Sequence, residues 1–339
     1  MSQMTLTGSD ELELFYKQKF YFSYSGINKL LFSPVMFYNH YILNQREDST
    51  DAHLVAGRVL HCLLLEPSNF DNDFVVLPSK LPSGNNKTVV DNIFKYHISL
   101  GNDTLLLEDY TPEILTHLSE MNLHQALKTD QQRIDKILTE ENKEYFKFLK
   151  VSSEKTVIDQ TILSGCRQSV EILKQNRDVM SLLQLDLDDR DPSTEVHNEL
   201  LLAGSIGDLP FGIKGVLDNV VVDNASKTLF VNDLKTTGKP IQDFKDAVDY
   251  YRYWIQAVIY VKLALQKYVA DEDIHNWTVQ VTFIVVDKYN QVYPYQVSLD
   301  TLASWQERFE TEIIPQIKWH YENKRYDLPY ELAIGNVKL

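Results

Sequence analysis

Three β-branched runs follow one another between residues 193 and 236: "STEVHNELLLAGSI", "FGIKGVLDNVVV" and "TLFVNDLKT". Turn residues separate them, and "DNASK" between the last two is rich in side chains that favour turns. Runs of this kind typically pair as an antiparallel meander. Mostly helical patterns precede them, and a helix, two strand-like runs and a last helix follow. This order predicts an α/β (α+β) protein with a central mixed β-sheet flanked by helices.

The turn suggests the register of the hairpin formed by the last two runs. If Asp223 and Thr228 close it, Asp218 lies directly opposite Asp233, with Cβ atoms about 5 Å apart. Two carboxylates so close repel each other, and a divalent cation with a preference for oxygen ligands relieves the repulsion. Lys235 follows Asp233 by two residues and shares its face. A slip of one residue would separate the two aspartates, and the triplet alone is more often ordinary surface charge.

Two predicted helices contribute further polar side chains. In "DAHLVAGRVLHCLLLEP", Gly57 and His61 share a helical face, where the glycine admits another backbone and the histidine offers a nitrogen to a metal. In "DFKDAVDYYRYWIQAVIYVKLALQKYV", predicted as one continuous helix, Gln256 and Tyr260 share a face. The buried glutamine needs a hydrogen-bond partner, either in the substrate or in a neighbouring strand. His61 alone is more often a satisfied core histidine.

Several kinds of site are not supported. Glu195 and Glu199 in the first run are candidates for another carboxylate, with Glu199 better placed, although either can simply face solvent. The segment "TTGKP" lacks the earlier glycine and the following Ser or Thr of a phosphate-binding loop. No GxSxG, HExxH or CxxC pattern occurs in the sequence. Hydrolase nucleophiles and zinc sites are therefore poorly supported.

Composition limits the class of protein. The 339 residues, 44% of them hydrophobic, are enough for a large core, and no apolar run predicts a membrane span. The start lacks the order of a signal peptide, which favours a cytoplasmic location. Two cysteines are too few for a disulfide framework or a four-cysteine metal cluster. The net charge of -15 argues against broad nucleic-acid binding, so a nucleic acid would be contacted only locally.

The ordered motifs resemble those of a known family. In sequence, "GRVLH", "KGVLD", "NDLKTT" and "YRYWIQAVIY" are similar to the motifs of the PD-(D/E)xK nuclease superfamily, in its RecB-like and RecE-type (exonuclease VIII-like) branch. The resemblance covers about residues 21 to 78 and 195 to 323. It implies a restriction-endonuclease-like core in a single domain of residues 21–339. Residues 1–20 would be an N-terminal tail, and about 88–188 a mostly helical insertion.

The resemblance also implies roles for individual residues. The catalytic residues would be Asp218, Asp233, Lys235, Gln256 and Tyr260. The ligands of Mg²⁺ or Mn²⁺ would be His61, Glu199, Asp218, Asp233 and the carbonyl of Leu234.

The activity implied is hydrolysis of DNA phosphodiester bonds, most specifically by a double-strand exonuclease of phage-type recombination or repair. Linear duplex DNA would be the substrate, a single-strand annealing protein a partner, and a homo-oligomer the assembly. Two other readings remain open. One is a catalytically inactive DNA-binding scaffold, and the other is a structure-specific repair endonuclease.

Overall fold

The computed structural model describes residues 8–45, 51–101, 104–186 and 191–335. The chain divides into two compact units. We call Met1–Glu66 with Gln168–Leu339 the sheet unit, and Pro67–Arg167 the helical unit. The predicted tail of residues 1–20 contains a helix, Gly8–Lys17. Residues 1–7 of the tail lie outside the described ranges.

The strands are β1 (Tyr21–Phe22), β2 (Phe74–Val76), β3 (Thr156–Ile158), β4 (Thr194–Ser205), β5 (Gly212–Asp223), β6 (Thr228–Thr237), β7 (Thr278–Asp287) and β8 (Val292–Val297). The helices are α1 (Gly8–Lys17), α2 (Tyr24–Phe32), α3 (Pro34–Phe37), α4 (Ala52–Leu65), α5 (Phe70–Asp73), α6 (Gly84–Leu100), α7 (Thr111–Glu120), α8 (Asp130–Asp135), α9 (Glu140–Ser152), α10 (Gln160–Gln175), α11 (Arg177–Leu183), α12 (Phe244–Tyr250), α13 (Tyr253–Tyr268), α14 (Leu299–Arg308), α15 (Ile314–Asn323) and α16 (Tyr330–Ala333). Short 3-10 and π-helical turns connect several of them.

One mixed sheet forms the centre of the sheet unit, in the order β1-β5-β6-β7-β8, with β4 also paired to β5. Strands β4, β5 and β6 form the predicted antiparallel meander. Strand β7 runs parallel to β6 and antiparallel to β8, so the mixed sheet predicted from the order of elements is confirmed. The connection from β6 to β7 contains α12 and α13, as a parallel crossover requires.

The hairpin of β5 and β6 has the predicted register, but only near its turn. Pairing runs from Asp223↔Thr228 to Asn219↔Asn232 and ends there. Since β4 pairs with both ends of β5 and leaves out only one rung between them, β1 and β6 must share the other edge of β5. Strand β1 pairs only with Gly212 and Ile213, so residues 214–218 lie where the sheet opens. Asp218 and Asp233 are therefore not a paired rung.

A row of asparagines crosses the sheet where that opening begins. Asn198, Asn219 and Asn232 are neighbours on β4, β5 and β6. Asn219 Nδ2 donates to Asn198 Oδ1, and Asn232 Nδ2 donates to Asn219 Oδ1, both at 2.8 Å. The amides also donate to carbonyls at helix ends, namely Leu65 of α4 and Leu182 and Leu183 of α11. These bonds satisfy carbonyls that a helix end leaves without intrahelical partners.

The helix after β6 is broken, contrary to the continuous helix predicted. Helix α12 ends at Tyr250, and α13 begins at Tyr253 after Arg252, whose φ of 57° and ψ of 41° are left-handed. Apolar periodicity continues through the break, so the pattern gave no sign of it. Helix α13 is buried along most of its length and packs on the sheet within the main core. The predicted last helix is continuous from Leu299 to Asn323, with a π-helical turn at Phe309–Ile313 between α14 and α15.

The helical unit has a core of its own. Helices α6 to α9 bury apolar side chains such as Ile93, Ile114 and Phe146. Inside this core, His97 Nδ1 and the Tyr110 hydroxyl are hydrogen-bonded at 2.6 Å. Strands β2 and β3 pair in parallel. Most of the predicted insertion, residues 88–167, belongs to this unit. That the segment is an insertion into a nuclease core stays a prediction.

Candidate metal centre and active site

His61 lies on α4, and both of its ring nitrogens have acceptors. The helix begins after Asp51, whose side chain accepts a hydrogen bond from His53 N at 2.9 Å. His61 Nε2 donates to the carbonyl oxygen of Leu234 at 2.9 Å, and Nδ1 donates to Glu199 Oε1 at 3.2 Å. Asp218 Oδ1 lies 3.7 Å from the same Nδ1. The imidazole thus joins a helix to three strands of the sheet.

Glu199 reaches this position through an unusual backbone conformation. It lies within β4, yet its φ is +46°, in the left-handed region. The ladder between β4 and β5 lacks a rung between Asn198↔Asn219 and Leu200↔Leu217, the place where Glu199 would oppose Asp218. For a residue with a Cβ this conformation costs about 1–2 kcal/mol. Such strain is typical of functional sites, where the surrounding structure maintains it.

Asp218 and Lys235 lie in the opening between β5 and β6. Asp218 Oδ2 accepts a hydrogen bond of 2.7 Å from Leu234 N, so a side chain replaces the ladder bond that β5 no longer supplies. One residue earlier, Asp233 Oδ2 forms an ion pair of 2.5 Å with Lys235 Nζ. The Lys235 ammonium also lies 5.1 Å from the centre of the Tyr253 ring. Lys235 therefore shares the face of Asp233, as the strand alternation predicts.

The pKa values reflect burial and crowding of charge. Burial disfavours the imidazolium of His61, but Asp218 and Glu199 outweigh it and raise the His61 pKa to about 9. Burial raises the pKa of Asp233 to about 6, against the attraction of Lys235. Burial also opposes the charge of Lys235, yet Asp233 and Asp218 raise its pKa above the usual value. Three carboxylates thus compete here for a small number of positive charges.

Gln256 and Tyr260 lie on α13 beside this group. Gln256 Nε2 donates to the Tyr260 hydroxyl at 2.8 Å, and Gln256 Oε1 is buried without a hydrogen-bond partner among the described residues. Burial, together with Asp218 and Asp233, raises the pKa of Tyr260 well above its usual value. The Tyr260 ring packs closely on β5, where a Cβ at Gly215 would lie 2.6 Å from Tyr260 Cε1. The glycine of "KGVLD" is therefore needed for this approach.

The side chains fit a divalent cation. One ligand atom each from His61, Glu199 and Asp218 lies within 4.8 Å of the others. Carboxylate oxygens suit Mg²⁺ and Mn²⁺, and an imidazole nitrogen is common beside them. Asp233 lies outside this group, and its Oδ1 is buried without a hydrogen-bond partner in the described part of the chain. The Leu234 carbonyl oxygen accepts a hydrogen bond from His61 Nε2 and keeps a second lone pair.

The structure places the two candidate glutamates of β4 differently. Glu195 is exposed, with Oε2 at 3.4 Å from His197 Nε2, whereas Glu199 approaches His61. The expected close backbone approach at Gly57 is wrong, since a Cβ there would come no nearer than 3.8 Å, to Thr236 Oγ1. Sequence reasoning also missed the contact between Tyr253 and Lys235, although both residues lie within the motifs "YRYWIQAVIY" and "NDLKTT".

A family comparison accounts for this arrangement. The model of the PD-(D/E)XK nuclease superfamily matches residues 21–327. The chain belongs to this superfamily. Membership implies DNA as the substrate, and nucleases of the superfamily generally use divalent metal ions, for which the cluster above is a candidate site. The resemblance stated from the motifs is thus confirmed at the level of the superfamily.

Other comparisons add less. A candidate exonuclease from Eubacterium rectale has a similar structure, with a TM-score of 0.45 and 12% identity over 99% of this chain and 95% of that chain. The structure of SSO0001 gives a TM-score of 0.23 and 14% identity over 76% of this chain and 98% of that chain. No curated protein matches the chain significantly. Within the described residues, no helix is long and apolar enough to cross a membrane.

Proposed function

We propose that the protein is a Mg²⁺- or Mn²⁺-dependent exonuclease that hydrolyses linear duplex DNA and leaves 5′-phosphates. The observation that carries this proposal is the approach of His61, Glu199 and Asp218 within 4.8 Å, beside the ion pair of Asp233 and Lys235. A histidine nitrogen, three carboxylates and a lysine therefore lie together, and metal-dependent phosphodiester hydrolysis can use such groups to bind a cation and to stabilise charge. Superfamily membership supports the same chemistry.

Once one ring nitrogen of His61 had lost its proton, His61 would hold the cation together with Glu199 and Asp218, with Asp233 and the Leu234 carbonyl as further donors. A divalent cation bound there would stabilise charge on the phosphate and make water a stronger nucleophile. It would also explain how a chain with a net charge of -15 binds DNA. The Asp218 carboxylate has a fixed orientation for binding a cation, because its Oδ2 accepts a hydrogen bond from Leu234 N while its Oδ1 faces His61.

Lys235 would act on the reacting phosphate or on the attacking water. Its side chain is 14% exposed, and Asp233 and the Tyr253 ring fix the position of its ammonium. A fixed positive charge at the phosphate stabilises the transition state more than a mobile one, because it needs no reorganisation. Gln256 and Tyr260 would position substrate or water, since Gln256 Oε1 is an acceptor that has no hydrogen-bond partner among the described residues.

The recombination setting rests on the RecE-type order of the motifs. In that setting the exonuclease exposes a single strand, and a single-strand annealing protein takes it up. A homo-oligomer and a cytoplasmic location belong to the same proposal.

The decisive experiment compares end-labelled linear duplex with closed circular duplex in Mg²⁺, Mn²⁺ or EDTA. We expect degradation of the linear DNA only, and none in EDTA. Nicking or cutting of the circle would replace the exonuclease by an endonuclease. Failure to cut either DNA in any metal would favour a catalytically inactive DNA-binding scaffold.

A binding measurement tests the cation site without activity. Calorimetric titration with Mn²⁺ should show a site that is lost in Asp218→Asn and weakened in His61→Ala. Glu195→Gln is the matched control, because Glu195 lies on the same strand as Glu199 but is exposed and lies beside His197. Equal Mn²⁺ affinity in all four proteins would contradict the proposed ligands.

A further inference from the structure

The break between α12 and α13 is held in place from a distant part of the chain. The Tyr251 carbonyl oxygen accepts hydrogen bonds from the Tyr24 hydroxyl and, at 3.2 Å, from Asn28 Nδ2. Arg252 Nη1 donates to Asn28 Oδ1 at 2.7 Å. Helix α2 thereby fixes the left-handed Arg252, a conformation that costs about 1–2 kcal/mol. A continuous helix would avoid that cost, and a strained backbone held in place in this way is typical of functional segments.

The break presents two tyrosines to solvent. Tyr250 is 78% exposed and Tyr251 is 47% exposed. Their rings meet edge to face, with centroids 4.9 Å apart. Isolated exposed aromatic residues are common and need no explanation. Two adjacent ones on a strained, well-anchored segment are different, because their rings contribute little to the core and yet have a fixed position.

These tyrosines begin a row of aromatic rings that ends at Lys235. Tyr251 stacks on Tyr253, with centroids 5.5 Å apart and planes inclined by 28°. Tyr253 in turn lies beneath the Lys235 ammonium at 5.1 Å. Two ring contacts therefore separate solvent-exposed Tyr251 from the lysine at the opening of the sheet. The contacts of 5.5 and 5.1 Å are short enough for a base at Tyr251 and a phosphate at Lys235 to belong to the same DNA strand.

We propose that Tyr250 and Tyr251 form a stacking platform for an unpaired nucleobase of the DNA strand whose phosphate lies at Lys235. The inference rests on the proposed nuclease function and adds a preference for ends with unpaired nucleotides. Aromatic side chains bind unpaired bases by stacking, whatever the sequence, because every base has a π-face. The arginine within the break adds positive charge beside the platform. Inside a paired duplex both faces of each base are already stacked, whereas an unpaired nucleotide leaves a face free for these rings.

The test measures binding, with hydrolysis as a separate readout. The probe is a short duplex with a single-stranded tail that contains 2-aminopurine, whose fluorescence falls when an aromatic ring stacks on it. A blunt duplex of the same sequence is the reference, and Ca²⁺ replaces Mg²⁺ during binding. The variants are Tyr250→Leu with Tyr251→Leu, the corresponding pair of Phe substitutions, and Tyr293→Leu. Tyr293 is the matched control, since it is 54% exposed and lies on β8, two strands away from Lys235.

The Leu pair should bind the tailed duplex about tenfold more weakly, from the usual strength of base stacking. It should also lose the fluorescence change, and its affinity for the blunt duplex should change little. The Phe pair keeps the rings and should behave like the wild type, as should Tyr293→Leu.

Three results would overturn the platform. The first is unchanged binding and quenching in the Leu pair, which would point to a protein partner at this surface. The second is an equal loss of affinity for the tailed and the blunt duplex. The third is a loss of affinity in the Phe pair as well. The proposed function fails separately, when the wild type hydrolyses no DNA in any metal. Thermal unfolding of each variant checks that the fold is retained. Because both rings are exposed, we expect the melting temperatures to change little.

Discussion

The two ends of the β5–β6 hairpin have the same strands and opposite properties. At the turn, Asp223↔Thr228 to Asn219↔Asn232 form a regular antiparallel ladder. Beyond Asn219 the ladder ends, and the other end contains a buried aspartate bonded to a backbone amide and a buried ion pair. At the closed end, the backbone groups of the two strands form hydrogen bonds with each other. The open end uses side chains for that purpose and thereby brings acidic groups and a lysine together.

The difference shows where a sheet has room for chemistry. Backbone groups in a ladder leave their side chains to the two faces, whereas an opening lets a carboxylate reach into the plane of the sheet. Asp218 does so, and His61 and Glu199 meet it there. The cost is local, in lost ladder bonds and in the left-handed Glu199. The closed end, with the asparagine row beside it, supports that strain.

The largest expected effect separates the two lysines of this hairpin. Lys235→Met should lower kcat about 10²–10³-fold, because in the proposed mechanism it removes a fixed charge from the reacting phosphate. Lys227→Met is the control, since Lys227 lies at the closed end and pairs with Asp273 at 2.8 Å. Steady-state hydrolysis of linear DNA measures both. Similar losses in the two variants would mean that position along the hairpin does not matter, and the comparison would fail.

The next effect concerns the junction of the two ends. Asn219 is fully buried, donates to Leu183 O and Asn198 Oδ1, and accepts from Asn232. Asn219→Leu keeps the approximate volume but leaves these partners unpaired, and we expect a loss of about 2–4 kcal/mol in the free energy of unfolding. Urea unfolding measures it.

Asn28→Leu is a useful contrast, because its bonds lie at the α12–α13 break instead of in the sheet. A smaller loss in Asn219→Leu than in Asn28→Leu would show that the row does not support the sheet.

The sequence predicted the closed end better than the open one, for physical reasons. Alternating β-branched residues and an Asx-rich turn fix register locally, so the pairs near Asp223 follow from pattern alone. The end of the ladder depends on β1 and on α4, which are distant in sequence, and no local pattern records it. The side chains that meet there were nevertheless foreseeable as a set from their motifs, although their roles stay predictions. The break at Arg252 was missed because apolar periodicity runs through it.

A third prediction concerns the open segment of β5. Gly215→Ala places a Cβ 2.6 Å from the Tyr260 ring, so α13 or the ring must move. We expect a loss of about 1–3 kcal/mol in the free energy of unfolding, typical of overpacking, and a lower kcat as Tyr260 shifts.

Gly57→Ala is its matched control on α4, because a Cβ there meets only Thr236 Oγ1 at 3.8 Å. Within a helix it should stabilise by about 0.5–1 kcal/mol. If both substitutions stabilised the protein, close packing at the opening would be disproved.

The smallest effect belongs to the closed end, at the turn itself. The Ser226 hydroxyl donates to Asp223 Oδ2, the backbone amides of Ala225 and Ser226 donate to Oδ1, and these bonds hold the pKa of Asp223 below its usual value. A lowered folded-state pKa stabilises the fold above the unfolded-state pKa, and that stability is lost as the pH falls through the folded-state value.

Asp223→Asn retains an acceptor for the turn but removes the charge. Its melting temperature should therefore be slightly below that of the wild type at pH 7, and the two should converge in acid. A difference that persisted unchanged in acid would assign the contribution to neutral hydrogen bonding. DNA hydrolysis by Asp223→Asn should equal that of the wild type, because the closed end holds the strands together while the proposed chemistry takes place at the end where they separate.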